Sequence, residues 1–303
     1  MKAARFSAHT RANVIFAGIS GSSAVVIIAL LAWILLDVGI NGFPKLSWEF
    51  VSASPREGMT EGGIFPAIFG TVLLVLIMTI AVVPVGVLTA IYLYEYANQE
   101  GIFARAIRSA VYNLAGVPSI VFGLFGLGFF IQFVGGGIDN FFYGGRVVWG
   151  QPAIFWASLT LATLTLPVVI VATEEALRTV PREHREAALA LGSTKFESLV
   201  KVVLPQAMPG ILTGAILAVA RGAGETAPIL FTGAAYFLPH LPTAPYDQFM
   251  NLGYHVYVLA TQSPDIEATK PILYGTVLVL LLVTVLLNLV AITLRSRLRA
   301  GRA

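Results

Sequence analysis

The sequence predicts an all-α membrane protein with six transmembrane helices, and three features support this prediction. Hydrophobic residues make up 57% of the 303 residues and charged residues only 12%, whereas about one quarter of a typical soluble domain is charged. The mean hydropathy is +0.82. Several segments are apolar over about 20 residues, the helix length that crosses a hydrocarbon core of about 30 Å. The chain has too few charges to cover a soluble surface.

The apolar segments follow one another along most of the chain. They lie at about residues 14–36, 64–94, 109–134, 152–173, 208–238 and 271–294. The first follows basic residues, as in a signal peptide, but it is too long and lacks a small-residue cleavage site, so we expect an anchor. The second contains Pro84 and is long for one crossing. We therefore expect a span to about Pro84 and a kinked helical extension beyond it.

Lysine and arginine predict the orientation, because loops rich in these residues stay in the cytoplasm. With six spans, both termini lie on one side, and that side carries fourteen of the basic residues against four on the other. The fourteen are Lys2, Arg5, Arg11, Arg105, Arg108, Arg178, Arg182, Arg185, Lys195, Lys201, Arg295, Arg297, Arg299 and Arg302; the four are Lys45, Arg56, Arg146 and Lys270. Both termini are expected in the cytoplasm. The net charge of +3 reflects this topology, so no nucleic-acid partner is inferred.

The polar cytoplasmic loop before the fifth span is patterned as two short helices. The stretch from Pro181 to Gly192 suits a helix with proline in its first turn and glycine at its end. Thr194 and Glu197 are spaced as a capping box for a second helix, which Leu204-Pro205 is expected to end. Its apolar face holds Phe196, Leu199, Val200 and Val203, and Lys195, Ser198 and Lys201 lie off it. Such a loop either rests on lipid headgroups or projects as a knob that contacts another protein.

A charged pair interrupts the fifth apolar segment, in the stretch "LAVARGAGETAPILF" at 217–231. Arg221 follows Pro209 by twelve residues, about 18 Å of helix, which predicts a position near the bilayer centre. A charge there costs about 2.5–3.5 kcal/mol on insertion scales. Glu225 is placed to neutralise it, and Thr226 adds a hydroxyl. These groups either pin the helix inside the bundle as a buried ion pair or line a pathway for an anion, which the planar fork of arginine suits.

Several chemistries are missing from the sequence. It contains no G-x-x-x-x-G-K-[ST] loop, so it cannot bind ATP by that route. It has no cysteine, which excludes disulfides and thiolate metal sites. None of the four histidines lies in an H-E-x-x-H motif, and no nucleophile–base pair stands out. We therefore expect no catalytic residue, no metal site and no cofactor in this chain, and any energy from ATP must arrive through another protein.

Two sets of motifs resemble ABC-importer permeases. The first is the EAA pattern, which places "EAALALG" nine residues before "VVLP". It resembles the segment that docks on the ATPase subunit in that family, although valine replaces the commoner isoleucine at 202. The second is "ARGAGETAPILFTGAA" with "LAGVPSIVFGLFGLGFF" at 114–130, which resemble signatures of the PstA family of phosphate permeases. The resemblance covers about residues 62–294. Val171 departs from members that carry a basic residue there.

This resemblance implies a type I ABC importer permease fold with a cytoplasmic coupling helix, in the inner membrane. Residues 1–63 would form the cytoplasmic N-terminus, first helix and outer loop, and 64–303 a five-helix core with coupling helices at about 181–205. The implied substrate pathway comprises Arg221, Glu225 and Thr226. The implied ATPase-coupling residues are Glu186, Ala187, Ala188, Gly192, Leu204 and Pro205.

The resemblance also implies partners and a function. The chain would pair with a PstC-like permease, two ATPase subunits that bind ATP and Mg²⁺, and an external phosphate-binding protein. It would import inorganic phosphate as a non-catalytic subunit. The alternatives are import of another oxyanion, such as molybdate or sulfate, and an ion-coupled secondary transporter. The latter usually shows an internal repeat and more carboxylates within the membrane.

Overall fold

The computed structural model describes residues 2–57, 61–98, 100–263 and 265–300. Arg302, one of the basic residues used for orientation, lies outside them. The helices are, in chain order, α1 (Lys2–Gly42), α2 (Trp48–Ser52), α3 (Phe65–Ile91), α4 (Ile102–Ala115), α5 (Ser119–Phe125), α6 (Gly136–Phe142), α7 (Ile154–Arg178), α8 (Arg182–Ala190), α9 (Lys195–Ser198), α10 (Leu204–Gly224), α11 (Ile229–Thr232), α12 (Leu252–Thr261) and α13 (Ile266–Ala300). A 3₁₀ turn covers Phe43–Lys45, and wider π turns cover Tyr92–Tyr96, Gly126–Gly135 and Leu199–Val203. An antiparallel pair, β1 (Pro55–Arg56) and β2 (Glu61–Gly62), lies before α3.

The all-α fold with six membrane-spanning helices is confirmed. Within the described ranges, six helical segments are long and apolar enough to cross a bilayer: Asn13–Lys45, Phe65–Tyr96, Ser119–Phe142, Ile154–Arg178, Lys195–Gly224 and Ile266–Arg297. The second continues through Pro84 to Ile91 and its π turn, so the expected helical extension is present.

The predicted third span, 109–134, is displaced. Residues 102–115 form the separate amphipathic helix α4, and the spanning segment begins at Ser119 and ends at Phe142. The chain breaks at Gly116–Pro118 because proline lacks an N–H donor and disfavours helical backbone in the residue before it. Apolar content alone had merged the end of α4 with the span.

The predicted fifth span, 208–238, is also wrong at both ends. The helix does not stop at Leu204-Pro205: it runs from Lys195 through the π turn into α10 and ends at Gly224. Pro205 is tolerated because it closely follows the π turn, where the backbone hydrogen-bond pattern already changes and the missing N–H can be accommodated. The other end comes early because the ring of Pro228 would clash with the carbonyl of Gly224 in a continuous helix.

Helix α7 forms the centre of the bundle and packs against α3 and α10. Small side chains bring these helices close together. A Cβ on Gly86 of α3 would lie 2.7 Å from the Val169 side chain of α7, and one on Gly214 of α10 would lie 2.7 Å from the Ala172 methyl. Because lipid supplies no hydrophobic force between helices, such close packing is what holds membrane helices together.

Helix α1 lies at the edge of the bundle. Its side chains from 13 to 36 are exposed, and it packs against α13. The contact tightens toward its C-terminus, where a Cβ on Gly42 would lie 3.1 Å from the Leu278 side chain. The apolar surface of α1 is therefore left for lipid or another chain.

The chain at Asn251 and Leu252, where α12 begins, is hydrogen-bonded to Thr71 of α3. The Thr71 hydroxyl accepts hydrogen bonds from the Asn251 side chain (3.2 Å) and the Leu252 backbone N–H (2.9 Å), and it donates to the Ala67 carbonyl (2.8 Å). Gly70 lies directly beneath the Met250 carbonyl. The start of α12 is thus fixed to the N-terminal part of α3.

Gly70→Ala is expected to loosen this contact. The added methyl group would overlap the Met250 carbonyl oxygen, and overpacking of this kind costs about 1–3 kcal/mol. The thermal unfolding midpoint of the detergent-purified protein should fall. Gly128→Ala is the matched control, because a Cβ there meets nothing within 4 Å. Equal midpoints for both variants would contradict the contact.

His255 of α12 is buried, with 2% of its surface exposed. Among the residues that the structure describes, neither ring nitrogen has a hydrogen-bond partner. Burial without a partner penalises the charged imidazolium and lowers the pKa of His255 to about 4. The ring therefore stays neutral in the folded protein at pH values where an unfolded histidine, with a pKa near 6.5, takes up a proton.

Stability should consequently fall as the pH falls from about 6.5 to about 4, because the unfolded state binds the extra proton in that window. The full shift corresponds to roughly 3 kcal/mol. His255→Leu should make the unfolding midpoint less sensitive to acid over this range. The comparison is between thermal midpoints of wild type and variant at pH 7 and pH 4.5. An unchanged acid sensitivity would show that His255 does not titrate as described.

Candidate functional site

The charged pair of the fifth span lies where that helix ends. Arg221 is in the last turn of α10 and Glu225 is the first residue beyond it. The Arg221 Nε and the Glu225 Oε1 are 3.5 Å apart, and the side chains are 40% and 19% exposed. The pair is therefore formed across a helix terminus, with the arginine head on the protein surface.

The depth predicted for Arg221, near the bilayer centre, stays a prediction. That prediction counted from Pro209, but the helix begins at Lys195. Arg221 follows Lys195 by about 39 Å of helical rise, which exceeds a hydrocarbon thickness of about 30 Å. This helix is therefore longer than the hydrocarbon core is thick, which is compatible with a start outside the membrane and with Arg221 inside it. The setting of Arg221 is defined by the break that follows it.

The break consists of residues 225–228 and is enclosed by other helices. Glu225 has extended backbone (ψ 132°), and the chain resumes as α11. Gly222 lies against the Met78 thioether of α3, Thr226 against Gly253 of α12, and the Pro228 carbonyl near Gly123 of α5. Non-helical backbone at membrane depth is tolerated only inside protein or beside a water-filled cavity.

This arrangement leaves Arg221 with donors to spare. The ion pair uses Nε, and within the described part of the chain the Nη groups have no hydrogen-bond partner. A guanidinium offers paired donors in a plane, which match two oxygens of an oxyanion. Thr226, half-buried beside Glu225, carries a hydroxyl at the same break. The structure pairs Arg221 with Glu225, whereas the Thr226 hydroxyl lies against Gly253 of α12.

The cytoplasmic knob, residues 181–205, has the predicted two-helix form. Helix α8 is followed by Gly192, whose φ of +88° few other residues adopt without strain. The capping box is present: the Thr194 hydroxyl accepts from the Glu197 N–H (3.2 Å), and the Glu197 carboxylate accepts from the Thr194 N–H (3.0 Å). The turn is thus specified by its own residues.

The six predicted ATPase-coupling residues do not share one surface. Glu186, Ala187 and Gly192 are exposed, Ala188 is buried, and Leu204 and Pro205 are half-buried. The most exposed apolar side chain of the knob is Leu191, with 89% of its surface open. Of the second helix, Leu199 and Val203 are buried as expected, but Ser198 is also buried, whereas Phe196 and Val200 are exposed. The outer rim is therefore formed by the turn and α8.

Two buried acidic residues in the spanning segments were not foreseen, because the spans were drawn too short at these ends. Asp139 of α6 is 3% exposed, and its carboxylate accepts the backbone N–H groups of residues 148–150 at 2.7–3.0 Å. Glu174 of α7 is 6% exposed and pairs with Arg108 at 3.3 Å. Both carboxylates have partners within this chain. For Glu174, the available sequence clue was the presence of basic residues near the span ends.

Arg185 was predicted only as a cytoplasmic charge, yet it is built into the junction between the knob and two spans. Its Nη2 lies 3.0 Å from the Glu95 Oε1, and its guanidinium donates to the backbone carbonyls of Leu177 (2.8 Å) and Val180 (3.2 Å). Its position one residue before the EAA pattern was the only sequence clue.

Residues 82–301 match the family described as the binding-protein-dependent transport system inner membrane component. The chain belongs to this family. It is therefore a non-catalytic, multi-pass inner-membrane subunit of an ABC importer, a class of transporter whose permeases assemble with separate ATPases and an external binding protein.

Individual relatives support the same family. The chain is 32% identical over 287 residues to the probable ABC transporter permease protein YqgI of Bacillus subtilis, covering 90% of this chain and 92% of that one. It is 39% identical over 213 residues to the phosphate transport system permease protein PstA of Mycobacterium leprae, covering 69% and 65%. It is 31% identical over 272 residues to the probable PstA of Methanocaldococcus jannaschii, covering 89% and 88%.

A solved structure shares the fold. A chain of the crystal structure of a bacterial alginate ABC transporter, in complex with a periplasmic protein carrying an alginate pentasaccharide, superposes with a TM-score of 0.62 over 88% of this chain and 91% of that one, at 15% identity. This confirms the type I importer permease fold, and at that identity it carries no information on substrate.

Proposed function

We propose that this chain imports inorganic phosphate across the inner membrane, with Arg221, Glu225 and Thr226 in the substrate pathway. The observation that carries the proposal is the Arg221–Glu225 pair at the enclosed break after α10. Similar proteins named as phosphate permeases support the choice of substrate, among them the one from M. jannaschii, which matches nearly end to end.

The pair suits a conduit better than a storage site. Phosphate would take its place on the free Nη groups of Arg221 and weaken the contact to Glu225. The carboxylate would then repel the anion and favour its release, as transport requires binding that is strong enough to enter and weak enough to leave. A purely structural ion pair is a weak alternative. Even buried ion pairs often add little stability, and exposed pairs add less because water weakens them; the Arg221 side chain is 40% exposed.

Movement of the pathway would be driven from the cytoplasmic knob. Glu186, Ala187 and Gly192 are exposed around Leu191 and would contact an ATPase subunit directly. Ala188, Leu204 and Pro205 would support that surface from beneath. ATP and Mg²⁺ would be bound by the ATPase, and the knob would pass its closure to the spans.

The assembly would contain a PstC-like permease, two ATPase subunits and an external phosphate-binding protein. Both termini would be cytoplasmic, as the distribution of basic residues predicts. Residues 1–63 would act as a peripheral unit beside the core of 64–303. The open face of α1 supports this division for the first helix, whereas Phe50 of the following loop is buried against Met250 and Ile272 of the core.

Arg221→Ala should reduce uptake of micromolar labelled phosphate at least about tenfold, because a hydrogen bond to a charged group contributes about 1.5–3 kcal/mol. The assay uses cells that lack the chromosomal copy of this chain and carry the wild type or a variant. Arg178→Ala, which removes an exposed arginine at the end of α7, is the matched control and should transport normally. Membrane levels of the complex are measured in parallel.

The outcomes of this experiment separate substrate from site. Inhibition of wild-type uptake by unlabelled sulfate or molybdate would favour another oxyanion. Equal uptake by wild type and Arg221→Ala would assign the arginine no part in the pathway. Loss of the whole complex in Arg221→Ala membranes would make the pair structural.

Gly192→Pro should abolish binding of the ATPase subunits. Proline fixes φ near −65°, whereas Gly192 has φ +88°. Gly192→Asn is the control, because asparagine adopts left-handed backbone more readily than other residues, and the site is open on all sides. Copurification of the ATPase with the tagged permease measures the effect. Intact copurification of the Gly192→Pro chain would show that the turn is not part of the contact.

A further inference from the structure

We infer that Arg185 is a positioning residue that locks the cytoplasmic knob to the ends of the second and fourth spans, so that the three move together. The inference rests on the proposed function in one respect, namely that the knob is where the ATPase acts. It concerns residues outside the EAA contact surface and outside the substrate pathway.

Arg185 first ties the knob to the fourth span. Its Nη2 donates to the carbonyl of Leu177 at 2.8 Å, and its Nη1 donates to the carbonyl of Val180 at 3.2 Å. The Leu177 carbonyl lies in the last turn of α7, where intrahelical donors run out, and the Val180 carbonyl lies two residues beyond the helix. A cation there also complements the negative end of the helix dipole. A side chain of α8 thereby completes the end of α7.

The same guanidinium ties the knob to the second span. Arg185 Nη2 is 3.0 Å from Glu95 Oε1, and its guanidinium carbon lies 5.4 Å from the centre of the Tyr94 ring. Glu95 and Tyr94 belong to the π turn that ends the second span. Cation and ring at this distance attract each other. One side chain thus contacts the ends of two spans at once.

The burial of this pair distinguishes it from the other ion pairs near the knob. The Arg185 and Glu95 side chains are 16% and 12% exposed, whereas Arg178 and Glu175 are 63% and 60% exposed. A buried pair contributes little net stability, but removing one partner leaves an uncompensated charge. The pair therefore resists separation of α8 from the π turn more strongly than a surface pair would.

A second arginine also holds the same π turn. Arg108 of α4 lies 3.3 Å from Glu174 of α7 and donates to the carbonyl of Leu93 at 3.0 Å. The end of the second span is therefore held by α4 and α7 as well as by the knob. A displacement of α8 would be transmitted to α3 and would not be absorbed by a loose turn.

The second span leads directly to the proposed pathway. Met78 of α3 is fully buried and packs against Gly222, next to Arg221. The route from Arg185 to Glu95, along α3 to Met78 and across to Gly222 is continuous packed structure. Coupling across such a distance requires contiguous elements that move as units, and α3, which is helical from Phe65 through Pro84 to Ile91, supplies one.

The test uses a reporter at the helix break. The chain has no cysteine, so Gly224→Cys introduces a single thiol, and a Cβ at this exposed position meets nothing within 4 Å. The assembled complex with its partner permease and ATPases is treated with a small thiol reagent, with and without a non-hydrolysable ATP analogue. The change in alkylation rate on nucleotide trapping is compared for Arg185→Gln, Arg185→Lys, Glu95→Gln and the exposed control Arg178→Gln. This readout needs no phosphate, so it stands apart from the substrate assignment.

The unsubstituted reporter and Arg178→Gln should respond equally to nucleotide. Arg185→Gln and Glu95→Gln should retain the ATPase subunits and hydrolyse ATP. In both variants, the nucleotide-dependent change in alkylation rate should be about tenfold smaller than in the reporter alone, which is the size of a typical coupling between sites. Arg185→Lys should restore only part of it, because an ammonium cannot make the fork of contacts. An unchanged response in both neutralised variants would overturn the inference. So would loss of the ATPases from both, since the pair would then only maintain structure.

Discussion

The constraint on which this structure depends is that lipid offers no partners to backbone N–H and C=O groups. A break in a spanning helix is therefore costly unless neighbouring helices enclose it. Here the fifth helix ends at Gly224 and leaves residues 225–228 unwound. Gly123 of α5 lies close to the Pro228 carbonyl of this segment, and Gly253 of α12 lies close to its Thr226 hydroxyl. The packing of the bundle is what allows an arginine and a glutamate to meet at such a break.

The two ion pairs, Arg221–Glu225 at the helix break and Arg185–Glu95 beside the knob, differ in burial. At the break, Arg221 is partly exposed and keeps donors available, which suits a site that must bind and release. At the junction between the knob and the spans, the Arg185 and Glu95 side chains are only 16% and 12% exposed, and Arg185 also donates to two backbone carbonyls, which suits a joint that must not slip. The distinction rests on burial, because water weakens an exposed ion pair and leaves a buried one tight.

The apolar and small-residue surfaces explain how the two ion pairs can communicate. The glycines of α3 and α10 place these helices in direct contact with α7 and with each other. Interfaces of this kind shift between discrete packings and deform little in between. A bundle with a tight core of α3, α7 and α10 and a loosely attached α1 is therefore suited to move as a few rigid parts.

The sequence by itself determined the class of the molecule. Hydrophobic length predicts six crossings because a bilayer has a fixed thickness, and the knob is specified locally by Gly192 and the Thr194–Glu197 capping box. Such features depend on residues close together in the chain. The EAA and "GETAP" stretches likewise indicated the family before any fold was known.

Only the tertiary structure decided where helices end and which charges meet. The continuation through Leu204-Pro205 and the early stop at Gly224 depend on packing and on Pro228, and apolar content cannot report either. The partnership of Arg185 with Glu95 joins residues far apart in the chain, so no local pattern contains it. Which EAA residues face outward was settled in the same way, because burial depends on the elements that pack on each side.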